Sequence, residues 1–201
     1  MQVYNFAMQT RGVSAVATPQ VKTAYIKFFA PIVEESVKAL ISAAEQKLGD
    51  GASRLVLLIS TPGGNVFGGL SAYNFLRGMP IEVVTHNFGS VDSIGVVLYC
   101  AGSKRLCVPH ARFLLHGVQA QFAQSSSLEE MQLEERLKAL KIDTENIAGV
   151  IAENTGKSEG EVHRAMLDRT TLNPEQATEW GLVHEIKEEL IGRDGDYVSI
   201  Q

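Results

Sequence analysis

The sequence has few cysteines, no long apolar run and no cluster of positive charge. Two cysteines among 201 residues cannot form a disulfide framework or a cysteine-rich metal cluster. The longest apolar stretches fall short of the ~20 residues of a membrane helix, and residues 1–17 lack the basic start and apolar core of a signal peptide. Lys and Arg number 18 and Asp and Glu 23, giving a net charge of −5 without any basic run. These absences predict a cytoplasmic protein that contacts neither membrane nor nucleic acid.

Neither the cysteines nor the five histidines are spaced like metal ligands. Cys100 and Cys107 lie among apolar neighbours, which predicts buried, reduced thiols. The histidines are scattered, with no His-x-x-x-His pair. We therefore expect no metal site.

Length and composition are those of one globular domain, with 45% hydrophobic and 20% charged residues. Apolar runs alternate with helical periodicity, which predicts an α/β domain with a mainly parallel sheet. The first ~20 residues are polar and irregular and are expected to form an arm. The predicted strands are 24–29, 54–60, 81–86, 105–108, 112–116 and 182–186, and the predicted helices are 31–48, 68–77, 93–101, 128–154 and one capped by Ser158.

The predicted helix over 128–154 is the longest element of the chain. It is rich in charge, and its apolar residues follow roughly one stripe. A helix this polar does not suit the core beside a sheet. We expect it to project from the domain as an arm.

The motif Ser-Thr-Pro-Gly-Gly at 60–64 follows a strand predicted to be buried on both faces. Two glycines let the backbone approach a ligand closely and leave amide N–H groups pointing outward. The alternative is an ordinary turn between a strand and a helix.

Ser93 lies where a predicted strand gives way to an apolar helix, with Gly89 and Gly95 on either side. At such a junction a hydroxyl is presented beside helix N–H groups that favour developing negative charge. The spacing differs from the Gly-x-Ser-x-Gly elbow of other hydrolases. The alternative is that Ser93 caps the helix.

His116 ends the apolar run Arg-Phe-Leu-Leu-His and is followed by Gly117. This position suits a side chain held at the edge of a cleft. A lone histidine at the end of a strand also fits a purely structural role.

Together these segments resemble the proteolytic subunit of the caseinolytic (Clp) ATP-dependent serine protease, in the crotonase-like superfamily. Ile-Ser-Thr-Pro-Gly-Gly at 59–64 is similar to the family's Ile-Asn-Ser-Pro-Gly-Gly, and 89–95 is similar to its Gly-x-Ala-Ala-Ser-Met-Gly. Leu-Leu-His at 114–116 is similar to Met-Ile-His, and Glu-Trp-Gly-Leu-Val at 179–183 to Glu-Tyr-Gly-Leu-Val. The resemblance covers about two thirds of the chain, and the order of its motifs makes it specific.

The resemblance implies a ClpP/crotonase-like fold of repeated β-β-α units, with a mainly parallel sheet and a projecting long helix. A serine peptidase domain would span 23–191, between an N-terminal tail or arm (1–22) and a C-terminal tail (192–201). The implied partners are a peptide or unfolded protein substrate, further copies of the chain in a homo-oligomeric ring, and an AAA+ unfoldase.

The resemblance also implies a Ser-His-Asp triad. Ser93 would be the nucleophile, His116 the general base and Asp168 the residue that orients the imidazole. Backbone N–H groups of Gly63 and Ile94 would bind the oxyanion. This chemistry needs no metal or organic cofactor.

The chain departs from the family pattern at several positions. Val91 and Asp92 replace two alanines before the nucleophile, and Gly117 and Val118 replace Gln-Pro after the histidine. The residues before Tyr25 do not match the family's N-terminal segment, which forms the pore loops that dock the unfoldase.

The third triad member is ambiguous. Alignment without gaps between Gly156 and Gly181 puts Arg169 where the family has aspartate, and a slip of one residue restores Asp168. A catalytically inactive ring subunit or scaffold therefore stays open as an alternative, as does a crotonase-type acyl-CoA enzyme. A Ser–Lys hydrolase is a further possibility, although Lys104 lies at the far end of the helix after Ser93.

Overall fold

The computed structural model describes residues 21–119, 128–192 and 196–201. They form one eight-stranded sheet with helices packed against it. The strands are β1 (Thr23–Phe29), β2 (Arg54–Thr61), β3 (Glu82–Asp92), β4 (Lys104–Cys107), β5 (Arg112–Leu114), β6 (Thr171–Leu172), β7 (Glu185–Ile186) and β8 (Asp196–Ile200). The helices are α1 (Glu34–Gly49), α2 (Val66–Arg77), α3 (Ile94–Tyr99), α4 (Glu130–Thr155), α5 (Glu159–Leu167) and α6 (Pro174–Glu179).

The strands run in the order β6-β5-β3-β2-β1-β8, with β4 beside β3 and β7 beside β4. All pairings are parallel except that of β5 with β6. Helices α1, α2 and α3 connect successive strands, as parallel pairing requires. The predicted α/β fold with a mainly parallel sheet is confirmed.

Strand β2 is buried from Leu55 through Thr61, as its unbroken apolar run predicted. Leu55, Leu57 and Ile59 belong to the main core, whereas Val56 and Leu58 join a smaller cluster on the other face. Leu190 and Ile191 pack on that second cluster. Apolar side chains therefore pack on both faces of β2.

Strand β3 is longer than the sequence suggested, because a bulge joins two pairing regions. Its first half pairs with β4 through Val84 to Asn87, and its last residues pair with β5 through Ser90 to Asp92. Between Ile59 and Thr61 the register against β2 shifts by two residues. The bulge bends the strand and redirects its end, so β3 continues past the predicted end at residue 86 to Asp92, directly before Ser93.

The long helix was predicted well, and its exposure matches the expectation of a projecting arm. α4 has 26 residues, so it is about 39 Å long. Its buried side chains are confined to the C-terminal part: Ile147, Ala148 and Ile151. The first four turns carry exposed apolar residues between charged ones.

Three elements were not predicted. Residues 196–200, expected in a C-terminal tail, form β8 in parallel with β1. β6 and α6 lie in the stretch left without prediction, although Asn173 and Pro174 are typical start signals for α6. Of the predicted arm over 1–22, all but the last two residues lie outside the described part of the chain.

Candidate active site

Ser93 occupies the junction between β3 and α3, as the sequence predicted. Its φ of 61° and ψ of −130° form a strained conformation for a residue with a Cβ. The N–H of Ser93 donates to the Leu114 carbonyl at 2.8 Å, and its own carbonyl accepts from Val96. Strain of this kind persists only where the surroundings hold the residue firmly.

The Ser93 side chain does not cap α3. It makes no capping hydrogen bond, and in the part of the chain that the structure describes no hydrogen bond uses its hydroxyl. The hydroxyl therefore remains available to a ligand, so the capping alternative loses its support.

His116 follows β5 and is half-buried. Its Nδ1 lies 2.8 Å from the Gly117 carbonyl oxygen, which fits a donating Nδ1–H. In that tautomer Nε2 carries the lone pair and can accept a proton.

Ser93, Ile94 and His116 line one cleft of about 200 Å³. Pro62 and Gly64 border it on the side of the glycine turn. Its remaining lining is mostly apolar: Val66, Leu115, Val118, Gln119, Ile147, Ile151 and Met166. Two of the three residues expected to form the triad thus share a cleft.

Asp168 and Arg169 lie outside that cleft lining. Asp168 is exposed and follows α5, and Arg169 has a φ of 52°. Within the described ranges, no hydrogen bond or ion pair joins Asp168 to His116. The turn nevertheless runs beside the strand of His116, since the Leu115 N–H donates to the Thr170 carbonyl at 2.9 Å.

The two predicted oxyanion donors differ in their surroundings. The Ile94 N–H lies at the start of α3, where no turn of the helix precedes it to accept a hydrogen bond. The Gly63 N–H donates to Thr61 Oγ1 at 3.2 Å. The neighbouring Gly64 lines the cleft, and among residues 21–119, 128–192 and 196–201 its N–H has no acceptor.

The other candidate reactive groups, two cysteines and a lysine, lie away from the cleft of Ser93 and His116. Burial raises the pKa of Cys100 to about 12 and that of Cys107 to about 11, so both thiols stay protonated near neutral pH. Both cysteines are buried and unpaired, as predicted. Lys104 pairs with Glu185 at 2.6 Å beside a different groove, which argues against a Ser–Lys pair.

One feature beside Ser93 was not foreseen. Asp92, noted only as a departure from the family pattern, forms an ion pair with Arg112 at 2.8 Å. Ser90 hydrogen-bonds to both. The pairing of β3 with β5 that brings these residues together lies across a bulge, which the sequence alone does not reveal.

Fold and cleft define an α/β protein whose mainly parallel sheet carries a serine and a histidine into one cleft. A family model described as Clp protease matches residues 21–189. The chain belongs to the Clp protease family.

The similar proteins agree with this assignment. The chain is 32% identical over 143 residues to "ATP-dependent Clp protease proteolytic subunit 1" of Streptomyces avermitilis, covering 70% of this chain and 64% of that protein. It is 30% identical over 157 residues to the protein of the same name in Leifsonia xyli subsp. xyli, covering 77% and 76%. A mutant ClpP1 from Listeria monocytogenes has a similar fold, with a TM-score of 0.74 at 22% identity, over 84% of this chain and 92% of that one.

None of the helices that the structure describes is long and apolar enough to cross a membrane.

Proposed function

We propose that this protein is a serine endopeptidase of the Clp type, which hydrolyses peptide bonds in peptides or unfolded proteins. The observation that carries the proposal is the cleft shared by Ser93 and His116 in a chain of the Clp protease family. The serine hydroxyl is not used to cap α3, and the tautomer of His116 leaves Nε2 free to act as a base.

In the proposed reaction, Ser93 Oγ attacks the peptide carbonyl carbon while His116 Nε2 takes the hydroxyl proton. The tetrahedral intermediate collapses as the imidazolium gives that proton to the leaving amine. Water then attacks the acyl-enzyme by the same route, with His116 again as base, and releases the acid.

The oxyanion would be held by backbone N–H groups beside Ser93. Losing one such donor typically costs about 3 kcal/mol in barrier height. Ile94 is proposed as one donor. For the second donor, the predicted Gly63 must release Thr61 Oγ1 before its N–H can bind the oxyanion, whereas the adjacent Gly64 N–H needs no such change.

Asp168 is proposed as the residue that stabilises the imidazolium. In the structure the Gly117 carbonyl occupies the hydrogen-bonding position at His116 Nδ1. A carbonyl can hold the tautomer but has no charge to offset that of the imidazolium. Catalysis by a full triad therefore requires that Asp168 replaces this carbonyl.

A second candidate function is that of a catalytically inactive subunit in a ring. It is favoured by the exposure of Asp168 and by its separation from the cleft lining.

We also propose, from membership of the family, that the chain assembles into a homo-oligomeric ring and works with an AAA+ unfoldase.

The test is reaction with a fluorophosphonate probe, which labels only an activated serine. We expect the wild-type protein to be labelled at a single site and Ser93→Ala to lose both labelling and hydrolysis of a fluorogenic peptide. Ser103→Ala is the matched control, because Ser103 donates to the Val83 carbonyl far from the cleft. An unlabelled, folded wild type would favour the inactive subunit, and labelling that survives in Ser93→Ala would contradict the proposed nucleophile.

A further inference from the structure

Three side chains on the neighbouring strands β3 and β5 form a closed hydrogen-bonded cluster close to Ser93. Arg112 Nη2 contacts Asp92 Oδ2 at 2.8 Å, and Arg112 Nε donates to Ser90 Oγ at 2.9 Å. The Ser90 hydroxyl donates in turn to Asp92 Oδ1 at 2.6 Å. Each carboxylate oxygen of Asp92 therefore has a partner, and one arginine spans two residues of the neighbouring strand. We name Ser90, Asp92 and Arg112 the strand-end cluster.

The Asp92 carboxylate is largely buried, whereas the guanidinium of Arg112 that pairs with it is not. Only 12% of the Asp92 side chain is accessible, whereas 54% of the Arg112 side chain is. A buried carboxylate is costly unless charged and polar groups replace its lost water. Arg112 and Ser90 meet this need only while β3 and β5 keep their present alignment, so the cluster resists any sliding of one strand against the other.

The alignment of β3 with β5 also sets the position of Ser93 relative to His116. Ser93 follows β3, and His116 lies two residues beyond β5. Ser90 is in register with Arg112 and Asp92 with Leu114. The bulge interrupts the pairing of β3 with β2. Beyond the bulge, the register with β2 is given by Val91, which lies opposite Thr61. The contacts to β5 therefore add a restraint on this end of the strand to those made by β2.

The backbone of Ser93 needs such restraint. Its φ of 61° is unfavourable for serine, and a conformation of this kind relaxes unless neighbouring residues fix it. The bond from Ser93 N–H to the Leu114 carbonyl holds one side. The cluster holds the preceding residue, Asp92, through its side chain.

We propose that the strand-end cluster is a positioning device that fixes the Ser93 hydroxyl relative to His116. The inference rests on the proposed function and deepens it. Ser90 and Asp92 line a shallow groove beside Phe29 and Pro31, and neither lines the cleft of Ser93. They are therefore positioning residues, which act on the reaction through the backbone of Ser93 and contact no substrate.

The test separates reaction rate from binding and from folding. With a fluorophosphonate probe, Ser93 Oγ displaces fluoride from phosphorus as His116 takes the hydroxyl proton, so the limiting rate constant at saturating probe reports on geometry. We expect Arg112→Gln to lower this rate constant about 10- to 100-fold, the effect of a displacement near 1 Å, with the half-saturating probe concentration changed less than about 2-fold. Arg112→Lys, which keeps the charge but cannot contact both partners in the same way, should give an intermediate rate.

The matched control is Arg54→Gln. Arg54 Nε pairs with Glu82 Oε2 at 2.6 Å between β2 and β3, and these two residues are also in register on parallel strands. This pair lies at the opposite end of the strands from Ser93, so its loss should leave the limiting rate constant unchanged.

Each outcome bears on the proposal. Partial unfolding lowers the fraction of molecules labelled, whereas a displaced hydroxyl lowers the rate constant of those that are labelled. A reduced rate constant at full final labelling in Arg112→Gln and Ser90→Ala supports the inference. An unchanged rate constant in both variants, or a slow rate that Arg54→Gln shares, overturns it while the proposed function stands. A folded wild type that the probe does not label overturns the proposed function and the inference together.

Discussion

Gly63 lies so close to Ser93 that the Gly63 position has no room for a side chain. A Cβ added to Gly63 would lie 2.6 Å from Ser93 Cβ and 2.7 Å from the Asp92 carbonyl oxygen. Gly63 also has a φ of 86°, a conformation that other residues adopt only with strain. We expect Gly63→Ala to lower the free energy of unfolding by about 1–3 kcal/mol and to slow labelling of Ser93. Denaturant unfolding and the probe assay measure the two effects.

The control for that substitution is Gly149→Ala. Gly149 lies within α4, where an added Cβ meets nothing within 4 Å. Because alanine favours helix more than glycine does, this variant should be more stable than wild type by up to about 1 kcal/mol. A Gly63→Ala protein as stable as the wild type would show that the turn and Ser93 are not in such tight contact.

The third triad member can be identified by comparing two neighbouring substitutions. If Asp168 orients His116, Asp168→Asn should lower kcat by up to ~10⁴-fold, because the amide favours the wrong tautomer of the imidazole. Arg169→Ala should cost far less, since a guanidinium cannot accept a hydrogen bond from the imidazole N–H. Hydrolysis of a fluorogenic peptide by both variants is the measurement. Small and equal losses in the two proteins would exclude Asp168 from the triad.

Much of the sheet could be predicted because its strands are buried. The run over 54–60 is apolar without interruption, so burial on both faces followed from composition alone. The position of Ser93 could likewise be predicted, since a strand pattern changes to a helix pattern at that residue. Local signals of this kind depend on neighbours in sequence.

What could not be predicted depends on contacts between distant residues. The bulge after Asn87 is held partly by hydrogen bonds from Ser90 N–H to Ser60 Oγ and from Asn87 Nδ2 to the Arg112 carbonyl. No short sequence pattern specifies these partners. The same holds for β8, whose five residues become a strand by pairing with β1. The ion pair of Asp92 with Arg112 follows from the bulge and was hidden for the same reason.

Arg105 should be essential for stability. It is 4% exposed, and its guanidinium donates to four backbone carbonyls from separate parts of the chain: Gly102, Asn154, Gly181 and Leu182. Arg105→Met would leave these buried and half-buried carbonyls without donors, at up to about 1–3 kcal/mol for each that finds no other donor. We expect a loss of at least about 3 kcal/mol in the free energy of unfolding, measured by urea denaturation.

Arg54, which is far more accessible than Arg105, provides the comparison. Arg54→Met removes a pair whose side chains are 39% and 40% accessible, and exposed pairs of this kind contribute about 0–1 kcal/mol. Losses of similar size in Arg105→Met and Arg54→Met would contradict the structural role assigned to Arg105.

Stability should fall as the pH is lowered through about 6.5. Burial lowers the pKa of His86, whose Nε2 lies 2.9 Å from the Lys187 carbonyl oxygen. Burial and the charge of Arg105 likewise lower the pKa of His184. In the unfolded chain these two histidines take up protons near pH 6.5, while native His86 and His184 stay neutral. The unfolded state therefore binds more protons and gains stability as the pH falls.

Free energies of unfolding at pH 7.5 and 5.5 measure this dependence. The contribution is fully present above about pH 6.5 and is lost progressively until the lowered native pKa values are reached. His86→Gln should reduce the difference between the two pH values, whereas His110→Gln, at an exposed position, should retain it. Equal stability of the wild type at both pH values would refute the prediction.

The exposed part of α4 should form an interface between copies of the chain. Leu133 and Leu137 are 48% and 53% exposed and lie one helical turn apart on the same side of α4. Burying such a surface against another copy would remove apolar area from water. We expect wild-type protein to sediment as a homo-oligomer and Leu137→Asp to shift it towards smaller species. Glu135→Ala, about 200° around the helix from Leu137, is the control and should keep the wild-type assembly. A wild-type monomer of 21.9 kDa at micromolar concentration, or equal assembly of the two variants, would contradict an interface on this face.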